Sequence, residues 1–323
     1  MSTFIIAEAG ANHNRNFDQA LSLIDVAVDA GASACKFQTY SSNTLYSKNT
    51  PDFAGYKNIT QLIKEIELPR EWQKDLKHYC DDKGIEFMST PFDEKAVDEL
   101  VALGVKRLKI AGFESTDFRF VEMVASSKLP LIISLGIGFD LKWLPKIFEI
   151  ADKYGNPLTL LHCNNAYPTP MKDAGLETIR ALSKGSGYKI GYSDHTTSTI
   201  TPAFAVIAGA TTIEKHFTIN RSLPGPDHSF ALEPHELKEM VSFIRQAELA
   251  MTPQGDLFSE SEKEFMKAMR SVIAKKEIKK GEVFTKENIT TKRPFLEGNI
   301  PASEFDAVLS QVAEKEYDED DFI

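Results

Sequence analysis

"TTIEKHFTI", residues 211–219, is the stretch on which the reading of this chain turns. It has the β-branched and aromatic make-up of a buried strand, yet Glu214, Lys215 and His216 stand in its middle. Side chains alternate along a strand, so Glu214 and His216 share one face while Ile213, Lys215 and Phe217 share the other. A carboxylate and an imidazole side by side on the inner face of an apolar segment need a fold that gathers chemistry at strand ends.

Upstream, short apolar runs alternate with amphipathic stretches. "FIIAEAG", "ACKFQT", "EFMSTP", "RLKIAG", "PLIISLG", "LTLLHC" and "YKIGYSD" precede "TTIEKHF" as strand candidates. Between them lie helical patterns such as residues 17–31, whose apolar positions recur at helical spacing up to Gly31. Eight strands alternating with helices over about 240 residues predict a (β/α)8 barrel, with a doubly wound open sheet as the alternative. No G-x-G-x-x-G follows the first strand, which counts against a dinucleotide-binding version. About thirty residues before Arg70 show no strong periodicity and read as a lid or binding loop. A helix over 233–251 closes a catalytic domain spanning residues 1–251; 252–268 reads as a polar linker, and 269–323 as a small β-rich module with a turn at "KKGE".

Composition narrows the partners. A net charge of −10 argues against nucleic acid or an anionic membrane. Cys35, Cys80 and Cys163 form neither a CxxC pair nor a disulfide framework, so a reducing cytoplasm is expected. The opening "MSTFIIAEAG" has no basic n-region and leads straight into a strand-like run, so no secretory leader is expected. The longest apolar run, residues 129–139, is too short to span a bilayer.

Polar residues stand where each predicted strand stops: Glu8; Lys36 and Gln38; Thr90; Lys109; Ser134; Asn165; Ser193 and His195; Glu214 and His216. Barrel enzymes carry their active sites at that end. The lysines and hydroxyls suit phosphate and carboxylate oxygens. Two imidazoles on adjacent strands suit Mn, Fe, Co or Zn better than an all-oxygen magnesium site. Glu8, Glu114, Glu214 and Asp227 offer carboxylates to orient ligands or move protons. His78 and His235 read as surface residues, His162 faces the helical layer by parity, and Cys163 reads as a small buried residue rather than a nucleophile.

"IIAEAGANHN", "CKFQTY", "FMSTPFDE", "LHCNNAYPTP", "GYSDHT", "IEKHFT" and "GPDHSFALEP" together resemble the sialic acid synthase family, and "RSVIAKKEIKKGEVFTKENITTKRP" resembles its antifreeze-like (SAF) domain. The resemblance implies a TIM barrel followed by a SAF domain, and a cytoplasmic transferase that forms a C–C bond between phosphoenolpyruvate and an N-acyl hexosamine. It implies His195 and His216 as ligands of a divalent metal, manganese first, with magnesium or cobalt as alternatives, and Glu214 as their support. It implies Lys36, Thr90, Lys109, Ser134, Asn165 and Ser193 as the phosphoenolpyruvate set, and Gln38, Tyr167 and Asp227 as sugar contacts. Glu8 and Glu114 would handle protons or orient ligands, and Arg293 would reach the partner's site in a domain-swapped homodimer.

The chain also departs from that pattern. Gly112 replaces a serine, Leu135 replaces a threonine, and the module stops at Ile323 without the usual last strand. Restoring a serine at 112 is therefore expected to strengthen the phosphate grip, unless Ser115 has taken over. Phe113 resembles synthases of bacterial nonulosonates such as pseudaminate and legionaminate. The competing readings are a paralogue that binds sugar or phosphate without turnover, and a metal-dependent barrel hydrolase.

Overall fold

A computed structural model describes every residue except 1, 53, 54, 56, 254 and 256–258. The chain separates into two compact units, residues 1–252 and 253–323.

The first unit opens with β1 (Phe4–Glu8), α1 (Phe17–Asp29), β2 (Ala34–Thr39), α2 (Ile59–Ile66), α3 (Gln73–Lys83) and β3 (Glu86–Pro91). It continues with α4 (Glu94–Leu103), β4 (Leu108–Ile110), α5 (Phe118–Ala125), β5 (Leu131–Leu135), α6 (Leu144–Tyr154) and β6 (Leu158–Cys163). It ends with α7 (Leu176–Gly185), β7 (Lys189–Asp194), α8 (Thr201–Ile207), β8 (Thr212–His216) and α9 (Pro234–Ala250). All strand pairings here are parallel, in the order β3-β2-β1-β8-β7-β6-β5-β4, and β3 packs against β4 to close the ring. The first unit is a (β/α)8 TIM barrel.

Two cores follow from the strand alternation. Outward-facing residues such as Ile5, Phe37 and Ile213 join helix stripes such as Ala20, Leu23, Ile24 and Ala27 of α1 in the main core. Inside the ring, Ile6, Ala34, Met88, Ile132 and Leu161 form an apolar floor. One step further along the same strands the inward residues are polar, so the floor supports the site. Local signals set the helices. Asn16 caps α1 by accepting from Gln19 N at 3.0 Å, and Asp93 caps α4 by accepting from Ala96 N at 2.7 Å.

The segment expected to be a structureless loop contains α2. Asn58 accepts from Gln61 N, and Ile59 and Ile63 pack on Tyr40 in a satellite core with Phe92. The stripe Ile59, Leu62, Ile63, Ile66 is helical in period but spans only eight residues.

In the second unit, β9 (Ser271–Ala274) pairs antiparallel with β10 (Ile289–Lys292), and α10 (Phe305–Val308) packs over a core that includes Val272, Ile278, Phe284 and Tyr317. Where a last strand was expected to be lacking, Ala274 N donates to Asp321 O and Ile323 N to Val272 O, so residues 321–323 run beside β9. Within 252–268, Glu260–Ala268 forms a 3-10 run behind a Ser259–Glu262 capping box. No helix among the described residues is long and apolar enough to cross a membrane.

Candidate active site

The ends of β1 to β8 converge on one cleft open to solvent. All the residues singled out in the sequence line it except Glu114, Asp227 and Arg293.

Its floor is a cluster of buried charges. Lys36 Nζ lies 2.5 Å from Glu8 Oε2 and 3.6 Å from Glu214 Oε2, and donates to Thr90 Oγ1 at 3.0 Å. Lys109 Nζ lies 3.5 Å from Glu214 Oε1, which also accepts from Ser193 Oγ at 3.0 Å. Gln38 Nε2 donates to Glu8 Oε1 at 2.7 Å. Register explains these neighbours: Glu8 pairs with Lys36 and His216, and Ser193 pairs with Glu214. Two lysines thus face two carboxylates. Burial pushes Glu8 up to about 7, with Glu214 adding to the rise and Lys36 opposing it. Burial would raise Glu214 as well, but Lys109 and Lys36 outweigh it and hold that carboxylate low. Ser134 Oγ is buried in the same cleft beside the Cys163 thiol, a weak acceptor, with no stronger protein partner, which leaves its donor available to an anion.

The upper wall holds the imidazoles, with ring centroids 5.4 Å apart. His195 Nδ1 is bonded to the Asn164 carbonyl at 2.6 Å, which assigns its proton there and leaves Nε2 as a lone pair. His216 Nδ1 is buried without a partner. Burial lowers the pKa of both rings, to about 4 for His195. Neutral imidazoles with an orphaned ring nitrogen are the donors a divalent transition metal takes. Among the described residues no third His, Cys, Asp or Glu completes a cage, so a cation here would keep positions open for substrate or water. The donor set fits such an ion.

Tyr167 packs against His195 with ring centroids 4.3 Å apart and planes tilted by 40°, and its hydroxyl accepts from Asn165 Nδ2 at 3.3 Å. Asp227 stands beside the lining: its Oδ2 accepts from Ala11 N at 3.0 Å. Gly10, at φ +51°, makes room there, since a β-carbon would sit 2.5 Å from that oxygen and 3.2 Å from the His216 ring. Glu114 lies outside the cleft; burial raises it to about 7 and its Oε2 has no partner. Arg293 is exposed in the second unit, just past β10.

The sequence reading missed three residues that shape the site. Phe230 packs 5.2 Å from His216 and 5.3 Å from Tyr167, Asn164 orients His195, and Cys163 lines the cleft. Asn164 precedes Asn165 and Phe230 follows Asp227 inside motifs already noticed, on loops where strand parity says nothing, whereas Cys163 is the last residue of β6 and has the inward parity of Asn165. The thiol of Cys163 is pushed by burial up to about 11, so it is no nucleophile at neutral pH.

A family model described as the NeuB family matches residues 23–255, and one described as the SAF domain matches residues 269–323. The chain is 37% identical to N,N'-diacetyllegionaminic acid synthase of Campylobacter jejuni over 99% of this chain and 98% of that one. It is 39% identical to the enzyme of the same name from Legionella pneumophila, over 91% of this chain and 86% of that one. Among solved structures, N-acetylneuraminic acid (sialic acid) synthetase of Leptospira borgpetersenii superposes with a TM-score of 0.75 at 36% identity, covering 82% of this chain and 90% of that one.

Proposed function

The chain belongs to the NeuB family and carries a SAF domain, and from that premise we propose that it is a nonulosonic acid synthase. In this reading it condenses phosphoenolpyruvate with an open-chain N-acyl hexosamine and releases phosphate. One observation carries it: Lys36, Lys109, the hydroxyls of Thr90, Ser134 and Ser193 and the carboxamide of Asn165 share a single cleft with His195 and His216. A hydrolase site would leave the anion-binding half without a purpose. The two legionaminic acid synthases among the relatives favour a 6-deoxy-diacetamido-hexose over N-acetylmannosamine as acceptor.

Each group then has a task. Lys36 and Lys109 offset the charge of a heavily anionic substrate inside an acidic protein. Ser134 Oγ, with only the weakly accepting Cys163 thiol beside it, donates to a carboxylate or phosphate oxygen alongside Thr90, Ser193 and Asn165. A divalent cation, Mn(II) first, held by His195 and His216 would supply Lewis acidity toward the acceptor's aldehyde oxygen. C3 of the enol phosphate attacks the aldehyde carbon, whose oxygen takes up a proton from Glu8. Water adds at C2 and its proton passes to Glu8, whose pKa near neutrality suits that exchange. The C2 hydroxyl then passes its proton to the departing phosphate as the C2–O bond to phosphate breaks and the C2 carbonyl forms. Holding both reactants in contact supplies about 7–11 kcal/mol of the barrier reduction.

Phosphate release measured with and without acceptor tests the reading. It should need both substrates, vanish on chelation and return with Mn(II). Release without acceptor would favour a hydrolase. Phosphoenolpyruvate binding with no release for any N-acyl hexosamine would leave a binding protein.

A further inference from the structure

Lys215 stands between Glu214 and His216 but faces the opposite way, and nothing in the proposed chemistry uses it. Its side chain is 1% exposed and that of Asp194 is 0% exposed. Lys215 Nζ lies 2.8 Å from Asp194 Oδ2 and also donates to the Thr196 carbonyl. Asp194 in turn holds the first turn after β7, its Oδ1 accepting from Thr196 N at 2.8 Å and its Oδ2 from Thr196 Oγ1 at 3.2 Å. The register is direct: Asp194 pairs with Lys215 as Ser193 pairs with Glu214.

A buried ion pair is weak evidence for stability, because desolvation offsets most of its attraction and apolar replacements are often neutral. This pair does something an apolar pair would not. It ties the turn that carries His195 to the strand that carries His216, from behind both rings. On its other side His195 is already fixed, by Nδ1 to the Asn164 carbonyl and by its own carbonyl accepting from Thr169 N at 2.8 Å. With Lys215 the histidine is held from both neighbouring strands. We propose that Asp194 and Lys215 are positioning residues that set the spacing of the His195 and His216 rings for a shared divalent cation. This rests on the reading that the two histidines hold one ion.

The test reads metal affinity rather than turnover. Lys215→Met alone would strand a buried carboxylate and endanger the fold. The double variant Asp194→Asn/Lys215→Met leaves no unpaired charge, keeps the cap on Thr196 N through the amide oxygen, turns Thr196 Oγ1 from donor to acceptor of the amide nitrogen, and removes the cross-strand tie. Mn(II) binding by electron paramagnetic resonance, with circular dichroism and thermal unfolding as fold controls, should show a folded double variant whose Mn(II) dissociation constant is raised about tenfold or more. A folded double variant with wild-type affinity would overturn the proposal. A double variant that does not fold would overturn it too, by making the pair a requirement of the barrel itself. Equal Mn(II) binding by wild type and His216→Ala would remove the two-histidine site, and with it this inference.

Discussion

A β-carbon built on Gly112 would sit 2.9 Å from Asn165 Oδ1 and 3.0 Å from the Gly136 Cα, so position 112 has no room for a side chain while Asn165 keeps its place. Asn165 is anchored: its Oδ1 accepts from Ile137 N at 2.7 Å. Gly136 is tighter still, with a β-carbon falling 2.1 Å from the same oxygen. The two glycines form a notch that seats the Asn165 carboxamide at the cleft whose lysines and hydroxyls are proposed to bind phosphoenolpyruvate. Ser115 is no substitute donor, because it is buried and its hydroxyl donates to the Gly112 carbonyl at 2.8 Å. Leu135 removes nothing from the cleft either, since it faces the helical layer while Ser134 faces in. The sequence alone suggested that a serine at 112 would tighten the phosphate grip; the packing reverses that expectation. Gly112→Ser and Gly112→Ala should both raise the Michaelis constant for phosphoenolpyruvate, by roughly tenfold for the loss of one hydrogen bond to a charged group. Steady-state kinetics or calorimetric binding of phosphoenolpyruvate would decide, and a lower constant for Gly112→Ser would sink the notch.

At the scale of elements, β7 passes so close to its neighbours that one position admits only glycine. A β-carbon on Gly191 would meet the Thr212 carbonyl of β8 at 2.3 Å and the Leu161 side chain of β6 at 2.5 Å. Its conformation is ordinary; the constraint is space inside the ring. Gly191→Ala must push β7 away from the floor on which Ser193 rests, so it should destabilise the barrel by about 1–3 kcal/mol. Denaturant unfolding that shows no loss would refute the close approach. The same element shows what a sequence can tell. The barrel was legible because parallel strands buried on both faces read as apolar runs between helical periods. The cleft was legible because alternation fixes which strand-end residues look inward, hence Lys36, Lys109, Ser193 and His216 together. Alternation also turned Lys215 away from the site, but it could not say that Asp194 would meet it across the strands. Phe230 and Asn164 sit on loops, where no period applies. α2 was hidden because two turns are too few for a period to stand out.

At the scale of the whole molecule, each unit has its own core, and the groups proposed for one reaction are divided between them. The barrel carries the residues proposed for metal and phosphoenolpyruvate, while Arg293 sits exposed after β10 with no ion pair to explain it among the described residues. We propose that it serves the barrel of a second subunit in a domain-swapped homodimer, presenting a guanidinium to polar groups of the sugar. A truncation after Ala250 should then leave a folded, metal-binding barrel that is nearly inactive, because the main core lies wholly within the first unit. Complementation is the sharper measurement. In a mixed dimer of His216→Ala with Arg293→Ala, one barrel lacks its histidine, but the other has both histidines and receives its arginine from the partner. Random pairing makes about half of the dimers mixed, each with one intact site, so mixing and refolding the two inactive variants should restore up to about a quarter of the wild-type activity. If Arg293 served its own chain, neither site of a mixed dimer would be whole. No recovery, in a sample where mixed dimers are shown to form, would therefore return Arg293 to its own subunit or remove it from the reaction.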